Sequence, residues 1–222
     1  MISISNLSFG FPSGSFRLTI PELSVAAGAH IAIAGPSGTG KTTVLNLIAG
    51  ILVPQQGSVR VDGQDIARLT DAERRQFRLT SIGFVFQNFA LIDYLSVEEN
   101  ILTPARIHPA LPLTPELRTR ARTLADAVGM GDKLARYPAR LSQGEQQRVA
   151  IARALLSRPR IILADEATGN LDPDNKVLIL DLLFAQAREA GATVVAVTHD
   201  HALLPRFDRV VDFRDFRSGG AA

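Results

Sequence analysis

The stretch Gly35-Pro-Ser-Gly-Thr-Gly-Lys-Thr-Thr43 decides how the rest of this chain is interpreted. From Gly35 through Thr42 it fits the pattern G-x-x-x-x-G-K-[ST]. The apolar run Ile31-Ala-Ile-Ala34 precedes it, and the largely apolar run Val44-Leu-Asn-Leu-Ile-Ala49 follows it. A buried strand that turns into a helix is the context that this pattern requires. The sequence therefore predicts a strand, a glycine-rich loop and a helix in this order.

The residue types of the loop suit the binding of phosphate. Glycine allows backbone conformations that are closed to other residues and lets N–H groups converge on phosphate oxygens, and the helix adds the positive end of its dipole. Lys41 offers a cation for the β- and γ-phosphates of a nucleotide, and the Thr42 hydroxyl offers a ligand for Mg²⁺. The alternative is a plain glycine-rich turn whose lysine is solvated. The candidate phosphate-binding residues are Gly35, Pro36, Ser37, Gly38, Thr39, Gly40, Lys41, Thr42 and Thr43.

Composition excludes several other classes of protein. The 222 residues are 46% apolar, enough for the core of one large domain or of one domain with an inserted lobe. The formal charge of +2 is spread along the chain without long blocks, so no nucleic-acid partner is indicated. The sequence has no cysteine, which removes thiol chemistry and is consistent with a reducing cytosol. Because it shows neither a leader pattern nor an apolar run of membrane-spanning length, we expect a protein that is neither exported nor membrane-spanning by itself.

Three further predicted strands end at side chains that could act on a phosphate ligand. The apolar run 82–86 ends at Gln87, although a glutamine there could equally be a loop residue that bonds backbone. The run 160–165 ends in Asp165, followed directly by Glu166, and the run 193–197 ends just before His199. An acid at the tip of a buried strand beside a phosphate loop is an expected partner of Mg²⁺, and an adjacent acid can orient or deprotonate water.

The middle of the chain has a helical pattern. Strand signals vanish between residues 88 and 141, and the four prolines between residues 103 and 115 favour a stiff loop. Ser142 and Glu145 have the spacing of a capping box, so a helix begins there with open N–H groups beside Gly144. That helix end could hold a phosphate or be an ordinary cap. Asp172 begins another helix as its N-cap.

Taken in order, these motifs resemble those of the ATP-binding-cassette (ABC) ATPases over almost the whole chain. The resemblance implies an α/β fold with a P-loop NTPase (RecA-like) core, an N-terminal antiparallel β subdomain and an inserted α-helical subdomain. We divide this single nucleotide-binding domain into an ATP-binding core with the β subdomain, residues 1–87 and 158–222, and a helical subdomain, residues 88–157. The resemblance further implies that the protein binds ATP and Mg²⁺.

The resemblance also implies a role for each motif residue. Phe11 matches the aromatic residue that stacks on adenine, although a ring in this region could equally close a small β core. Gln87, Asp165 and Thr42 match the residues around Mg²⁺, and Glu166 and His199 match the catalytic carboxylate and the switch histidine. Residues 141–145, with Ser142, Gly144 and Glu145, match the signature that closes on the γ-phosphate of a neighbouring subunit, and Asp172 matches the aspartate of the D-loop.

Two positions depart from the family pattern. The signature usually reads Leu-Ser-Gly-Gly-Gln, whereas Gln143 and Glu145 stand here for its first glycine and its glutamine. The residue after the catalytic glutamate is commonly proline, and here it is Ala167. Within the family, the runs 82–91 and 167–172 resemble the subgroup that serves lipoprotein release, macrolide export and cell division.

The expected function is that of an ATP-hydrolysing energy subunit of a transporter, on the inner face of the cell membrane. Its expected partners are a second ABC ATPase subunit, as a homodimer, and an integral membrane permease that contacts the apolar segment 88–94. The alternative is that the apolar side chains of this segment pack inside the helical lobe. One alternative is a regulatory cassette that uses ATP-dependent dimerisation without transport. Another is a small-molecule kinase, which leaves the signature and His199 unexplained. The transported molecule cannot be inferred, because its specificity belongs to the permease.

Overall fold

A computed structural model describes residues 1–12, 16–36 and 38–216, with the backbone alone at Asp215. Ser37 of the phosphate loop and the tail from residue 217 lie outside the described residues. The strands are β1 (Ile2–Gly10), β2 (Arg17–Val25), β3 (His30–Ala34), β4 (Gln56–Val61), β5 (Gln64–Asp65), β6 (Ile82–Val85), β7 (Ile161–Asp165), β8 (Thr193–Thr198) and β9 (Arg209–Asp212). The α-helices are α1 (Lys41–Ile48), α2 (Asp71–Ser81), α3 (Val97–Ile107), α4 (Pro115–Ala127), α5 (Gln143–Leu155) and α6 (Pro173–Glu189).

The strands form two sheets of different type. An antiparallel sheet has the order β2-β1-β4-β5, and its central strand β1 pairs Ile4 with Leu23 on one side and with Val59 on the other. These three side chains are buried, as the alternating apolar pattern predicts. The second sheet is parallel, with the order β6-β7-β8-β3-β9. The expected fold class is confirmed.

The parallel sheet gathers the candidate site residues at one edge. Strands β3, β6, β7 and β8 run in the same direction, so their carboxyl ends meet there. All five residues of β3 are buried, and the phosphate loop follows directly. Asp165 is the last residue of β7, and His199 comes immediately after β8.

Helix caps fix the ends of the other elements. Thr70, Ser96 and Ser142 each form a complete capping box with a glutamate three residues later, as their spacing predicts. The predicted stiff loop at residues 103–115 is wrong in its first part, because α3 continues through Pro104 to Ile107. The helix is held on both sides of the proline by the buried residues Leu102 and Ala105, and this packing outweighs the missing backbone bond.

Segment 88–94 is also less exposed than expected. Phe89 is buried, and Leu91 packs against the core that α3, α4 and α5 share, whereas Tyr94 remains 79% exposed. The expected permease surface is therefore wrong for Phe89 and Leu91, for which the alternative of packing inside the lobe holds. Within the described ranges, no helix has the length and apolar character needed to cross a membrane.

Candidate active site

The phosphate loop holds its lysine tightly. The Lys41 ammonium donates to the carbonyl oxygens of Gly35 at 2.8 Å and of Pro36 at 2.7 Å, and the residue is only 5% exposed. The Thr39 hydroxyl donates to the same Pro36 oxygen at 2.8 Å. The loop is thus folded around a buried cation, and the alternative of a turn with a solvated lysine is wrong.

Gly40 shows why the loop needs a glycine at the start of α1. Its φ is 101°, a left-handed conformation, and it is the N-cap of the helix without a side-chain cap. A Cβ atom built on it lies 2.6 Å from Cζ of Phe16. No acidic residue stands in the first turn of α1, so the N–H groups and positive dipole end of the helix remain available to an anion.

Thr42 joins the phosphate loop to β7. Its hydroxyl donates to Oδ1 of Asp165 at 3.1 Å, across 123 residues of sequence. The pKa of Asp165 is raised above its ordinary value, chiefly by burial and also by the charge of Glu166. The hydrogen bond from Thr42 and the charge of Lys41 oppose this shift and offset part of it. Two hard oxygen ligands therefore lie side by side at the mouth of the loop.

Glu166 and His199 form a pair at the ends of neighbouring strands. Nδ1 of His199 lies 3.1 Å from Oε1 of Glu166, and the Glu166 side chain is 20% exposed. The Glu166 backbone is left-handed, with φ 47°, and its N–H donates to the carbonyl oxygen of Val197 at 3.0 Å. A non-glycine residue held in this region is strained, and such strain is characteristic of active sites. The arrangement presents a carboxylate and an imidazole toward the same space.

Gln87 is exposed just beyond β6, and its backbone carbonyl accepts a hydrogen bond from Nδ2 of Asn170 at 2.9 Å. Asn170 lies between Glu166 and Asp172, so it ties the segment after β7 to the segment after β6. Sequence reasoning missed this residue, because nothing in the local pattern distinguishes it from a turn asparagine.

The signature residues lie in a second group. Ser142 and Glu145 close the capping box, and Oε1 of Glu145 also lies 2.8 Å from Nζ of Lys133. The hydrogen bond from Lys133 and that from the Ser142 backbone lower the pKa of Glu145 to about 2. The glutamate that departs from the family pattern is therefore ionised and neutralised within its own chain.

A cavity of about 440 Å³ opens beside this helix end. Ser142, Gln143 and Gly144 line it on one side, and Asp172 and Asn175 line it on the other. Asp172 acts as the expected N-cap of α6, accepting a hydrogen bond from the Asn175 N–H at 3.1 Å. None of the lining residues belongs to the phosphate loop. The candidate residues thus form two separate groups within the described chain.

Phe11 lies next to the phosphate loop through Phe16, whose ring centroid is 5.7 Å from that of Phe11 and whose edge lies against Gly40. Its ring is 43% exposed and lies edge-on to Phe9, with 5.0 Å between the centroids. Phe9 is 6% exposed and belongs to the β core, so the core role falls to Phe9 and the accessible ring is that of Phe11.

Comparison with known proteins decides the family. A family model described as ABC transporter matches residues 18–169. The chain belongs to the ABC transporter family. An uncharacterized ABC transporter ATP-binding protein of Mycobacterium tuberculosis is 41% identical over 220 residues, which cover 98% of this chain and 88% of the other. The lipoprotein-releasing system ATP-binding protein LolD of Syntrophotalea carbinolica is 40% identical, covering 99% of this chain and 97% of the other.

Solved ABC cassettes agree with the fold. The ATP-binding cassette MJ0796, in a dimeric post-hydrolysis state with ADP and phosphate, superimposes with a TM-score of 0.83 and 35% identity over 96% of this chain and 94% of that one. The expected subgroup is confirmed by relatives named for lipoprotein release and for macrolide export.

As an ABC cassette, the chain binds and hydrolyses ATP as the energy-coupling subunit of a transporter. These relatives are transporter proteins, so the regulatory alternative is not favoured.

Proposed function

We propose that Glu166 is the general base of ATP hydrolysis and that His199 orients it. The observation that carries this assignment is the 3.1 Å contact between Oε1 of Glu166 and Nδ1 of His199. An N–H at Nδ1 donates to the carboxylate and fixes its direction, and the free carboxylate oxygen accepts a proton from water. The carboxylate follows directly on Asp165, whose oxygen meets Thr42 of the phosphate loop. The general base therefore lies next to the γ-phosphate position that the loop defines.

The phosphate loop binds the nucleotide in this proposal. Lys41, buried in the loop, supplies charge to the β- and γ-phosphates, and the backbone of residues 38–43 supplies N–H donors. Phe11 offers its exposed ring to adenine. Gln87, positioned by Asn170, faces the γ-phosphate side of the site.

The residues present fit a Mg²⁺ ion. The oxygens of Thr42 and Asp165 lie 3.1 Å apart and are of the hard type that Mg²⁺ prefers. Thr42 and Asp165 would hold the ion together with phosphates of the nucleotide. When bound, the ion neutralises charge on the transferring phosphate.

Two copies of the chain build each working site. The cavity at Ser142 and Gly144 contains no phosphate-loop residue, so its helix end serves a nucleotide held by a second copy. Asp172 lies in the same cavity and belongs to this composite site. The similar cassette MJ0796 is dimeric with ADP and phosphate bound, which supports a homodimer here.

A membrane permease is the second partner, and the chain works on the inner face of the membrane, where ATP is available. A groove of about 480 Å³ between α2, β6, α3 and α5, called here the docking groove, is lined mainly by apolar side chains. Phe86 and Ile107 in its lining are 36% and 72% exposed. An amphipathic helix of the permease fits such a surface. In this proposal the permease contacts the groove and not segment 88–94 as a whole. Of that segment, Ala90 lines the groove.

Replacement of Glu166 by Gln tests the catalytic assignment. Turnover of the purified chain should fall by about 10²- to 10⁴-fold, the usual contribution of a positioned general base, while ATP binding persists. Hydrolysis at the parental rate would show that another group activates the water.

A further inference from the structure

Arg153 of α5 reaches across to the turn that follows Gln87. Its guanidinium donates to the carbonyl oxygen of Phe89 at 2.6 Å and also to that of Ala90. Both of these residues are left-handed, with φ of 61° and 48°. Two consecutive non-glycine residues in this region are strained. Arg153 therefore holds a strained turn in place, two residues beyond Gln87.

The charge of Arg153 is not balanced within the described part of the chain. No carboxylate oxygen of a described residue lies within 4.0 Å of its guanidinium, and its recorded partners are the two carbonyl groups. Burial lowers its pKa to about 10. Arg153 is half-buried. A charge partly removed from water without an opposite charge beside it is unfavourable, and a carboxylate at that place reduces the penalty.

The docking groove as a whole has the same imbalance. Arg75, Arg78, His108 and Arg153 line it, and no aspartate or glutamate does. Arg75 forms an ion pair with Asp71, which does not line the groove. Arg78 donates to the carbonyl oxygen of Gly50 at 2.9 Å. Of the three arginines, Arg153 is the one that also holds the turn after Gln87, and no carboxylate oxygen of a described residue lies within 4.0 Å of it. It is therefore the cation through which an incoming group can act on that turn.

We propose that the permease segment that occupies the docking groove carries a carboxylate that pairs with Arg153. This inference rests on the proposed permease partner. A guanidinium has five N–H donors in a planar fork, so the two carbonyl bonds leave donors for a carboxylate. The apolar walls of the groove exclude water and strengthen the contact. Because Arg153 also holds Phe89 and Ala90, an occupant bound to it touches the turn that leads to Gln87.

Two designed helical peptides test this proposal on the unmodified protein. Both carry an apolar face of leucine and phenylalanine, and they differ only in one central residue of that face, glutamate or glutamine. Fluorescence anisotropy at low salt should show about tenfold tighter binding of the glutamate peptide, the preference expected from a close charge pair. The preference should weaken as salt is added.

Variants locate the effect. Arg153→Gln should bind both peptides equally, at the affinity that the unmodified chain shows for the glutamine peptide. Arg122→Gln is the matched control, because Arg122 lies on α4, pairs with Glu98 at 2.8 Å and does not line the groove. It should keep the tenfold preference. If Arg153→Gln does not fold, the comparison of the two peptides on the unmodified chain still shows whether the groove prefers a carboxylate.

Other results would overturn the proposal in distinguishable ways. Equal affinities on the unmodified chain mean that the docked segment needs no carboxylate, while groove docking itself stands. Binding of neither peptide removes the groove as a docking site for a helix and leaves the ATPase assignment to the Glu166→Gln test. Displacement of the peptide by vesicles of anionic phospholipid identifies lipid as the occupant and would overturn the permease contact.

Discussion

Lys176 and Asp200 form an ion pair in which Nζ of the lysine lies 2.8 Å from Oδ2 of the aspartate. Lys176 is on α6, and its backbone N–H donates to the carbonyl oxygen of Asp172 at 2.9 Å. Asp200 follows His199, and its other oxygen accepts the N–H of Ala202 at 3.1 Å. The pair therefore connects the segment at Asp172 with the turn that carries His199.

We predict that Lys176→Met lowers the kcat of ATP hydrolysis by roughly 3- to 10-fold, the size expected for a residue that acts through its neighbours. The KM for ATP should stay unchanged, because Lys176 does not belong to the phosphate loop. Lys176→Arg keeps a cation that can reach Asp200 and should restore most of the rate. Steady-state kinetics of the three proteins checks this, and an unaltered kcat in Lys176→Met would exclude the positioning role.

Lys41→Ala should lose nucleotide binding. The ammonium that serves the phosphates is removed, and so are its bonds to the carbonyl oxygens of Gly35 and Pro36. Thermal melting with and without Mg-ATP measures the effect: the parental chain gains stability from the ligand, and the variant should not. Lys41→Met, which keeps most of the buried stem, controls for lost packing. A ligand-induced shift equal to the parental one in both variants would contradict the phosphate-binding role of the lysine.

Mixing two inactive variants tests the composite site. Lys41→Ala damages the phosphate loop, and Ser142→Arg damages the signature cavity. In a mixed dimer both defects fall on one site, so the other site is intact and ATPase activity should reappear, with about one competent site per mixed dimer. Activity is measured after hetero-association has been demonstrated. A mixed dimer that forms but remains inactive would rule out a site shared between chains.

The buried His30 predicts loss of stability at acidic pH. His30 is 2% exposed and stacks on Phe184 with 4.5 Å between ring centroids. Burial, and then the charge of Arg188, lower its pKa below 6.5, with a partial offset from Asp208. As the pH falls below about 6.5, the unfolded chain takes up a proton that the folded chain resists, so the free energy of unfolding decreases.

Denaturant unfolding at several pH values measures this slope. His30→Phe keeps the stacked ring without the titrating group and should flatten the slope between the folded-state pKa and about pH 6.5. An identical slope in His30→Phe would assign the acid sensitivity to other groups.

Gly40→Ala separates backbone strain from steric overlap. The new methyl group meets Phe16 at 2.6 Å in a left-handed backbone, whereas Gly191, with φ 65°, has nothing within 4 Å of its added Cβ. We expect Gly191→Ala to lower the free energy of unfolding by about 1 kcal/mol from strain alone. Gly40→Ala should cost about 1 to 3 kcal/mol more, as overpacking does. Phe16→Leu in the same chain should recover part of the difference, and equal losses for the two glycines would remove the steric explanation.

The positions of the main site residues could be predicted because they stand at strand ends. Parallel strands bring their carboxyl ends to one edge, so Asp165, Glu166 and His199 could be grouped from the sequence. Helix caps were equally predictable, since Ser142 and Glu145 satisfy each other within one turn of α5.

The remaining contacts depend on the tertiary structure. The bonds from Asn170 to Gln87 and from Arg153 to Ala90 span 83 and 63 residues, and no local pattern encodes them. For the same reason the sequence left open whether Phe89 is buried. The sequence of an apolar segment outside helices and strands does not show whether its side chains are buried in the core of a neighbouring lobe.

The fully buried Asn100 gives this protein a convenient place for an optical probe. Its side chain accepts the N–H of Ile92 at 2.7 Å and donates to the carbonyl oxygens of Ile92, Leu95 and Ser96, so the segment around Tyr94 is pinned from beneath. The sequence contains no tryptophan. Tyr94→Trp would therefore introduce the single indole of the chain on an exposed but anchored segment, four residues beyond Ala90. Its emission, excited at wavelengths that the remaining Tyr137 does not absorb, would follow events at the groove and at the turn after Gln87.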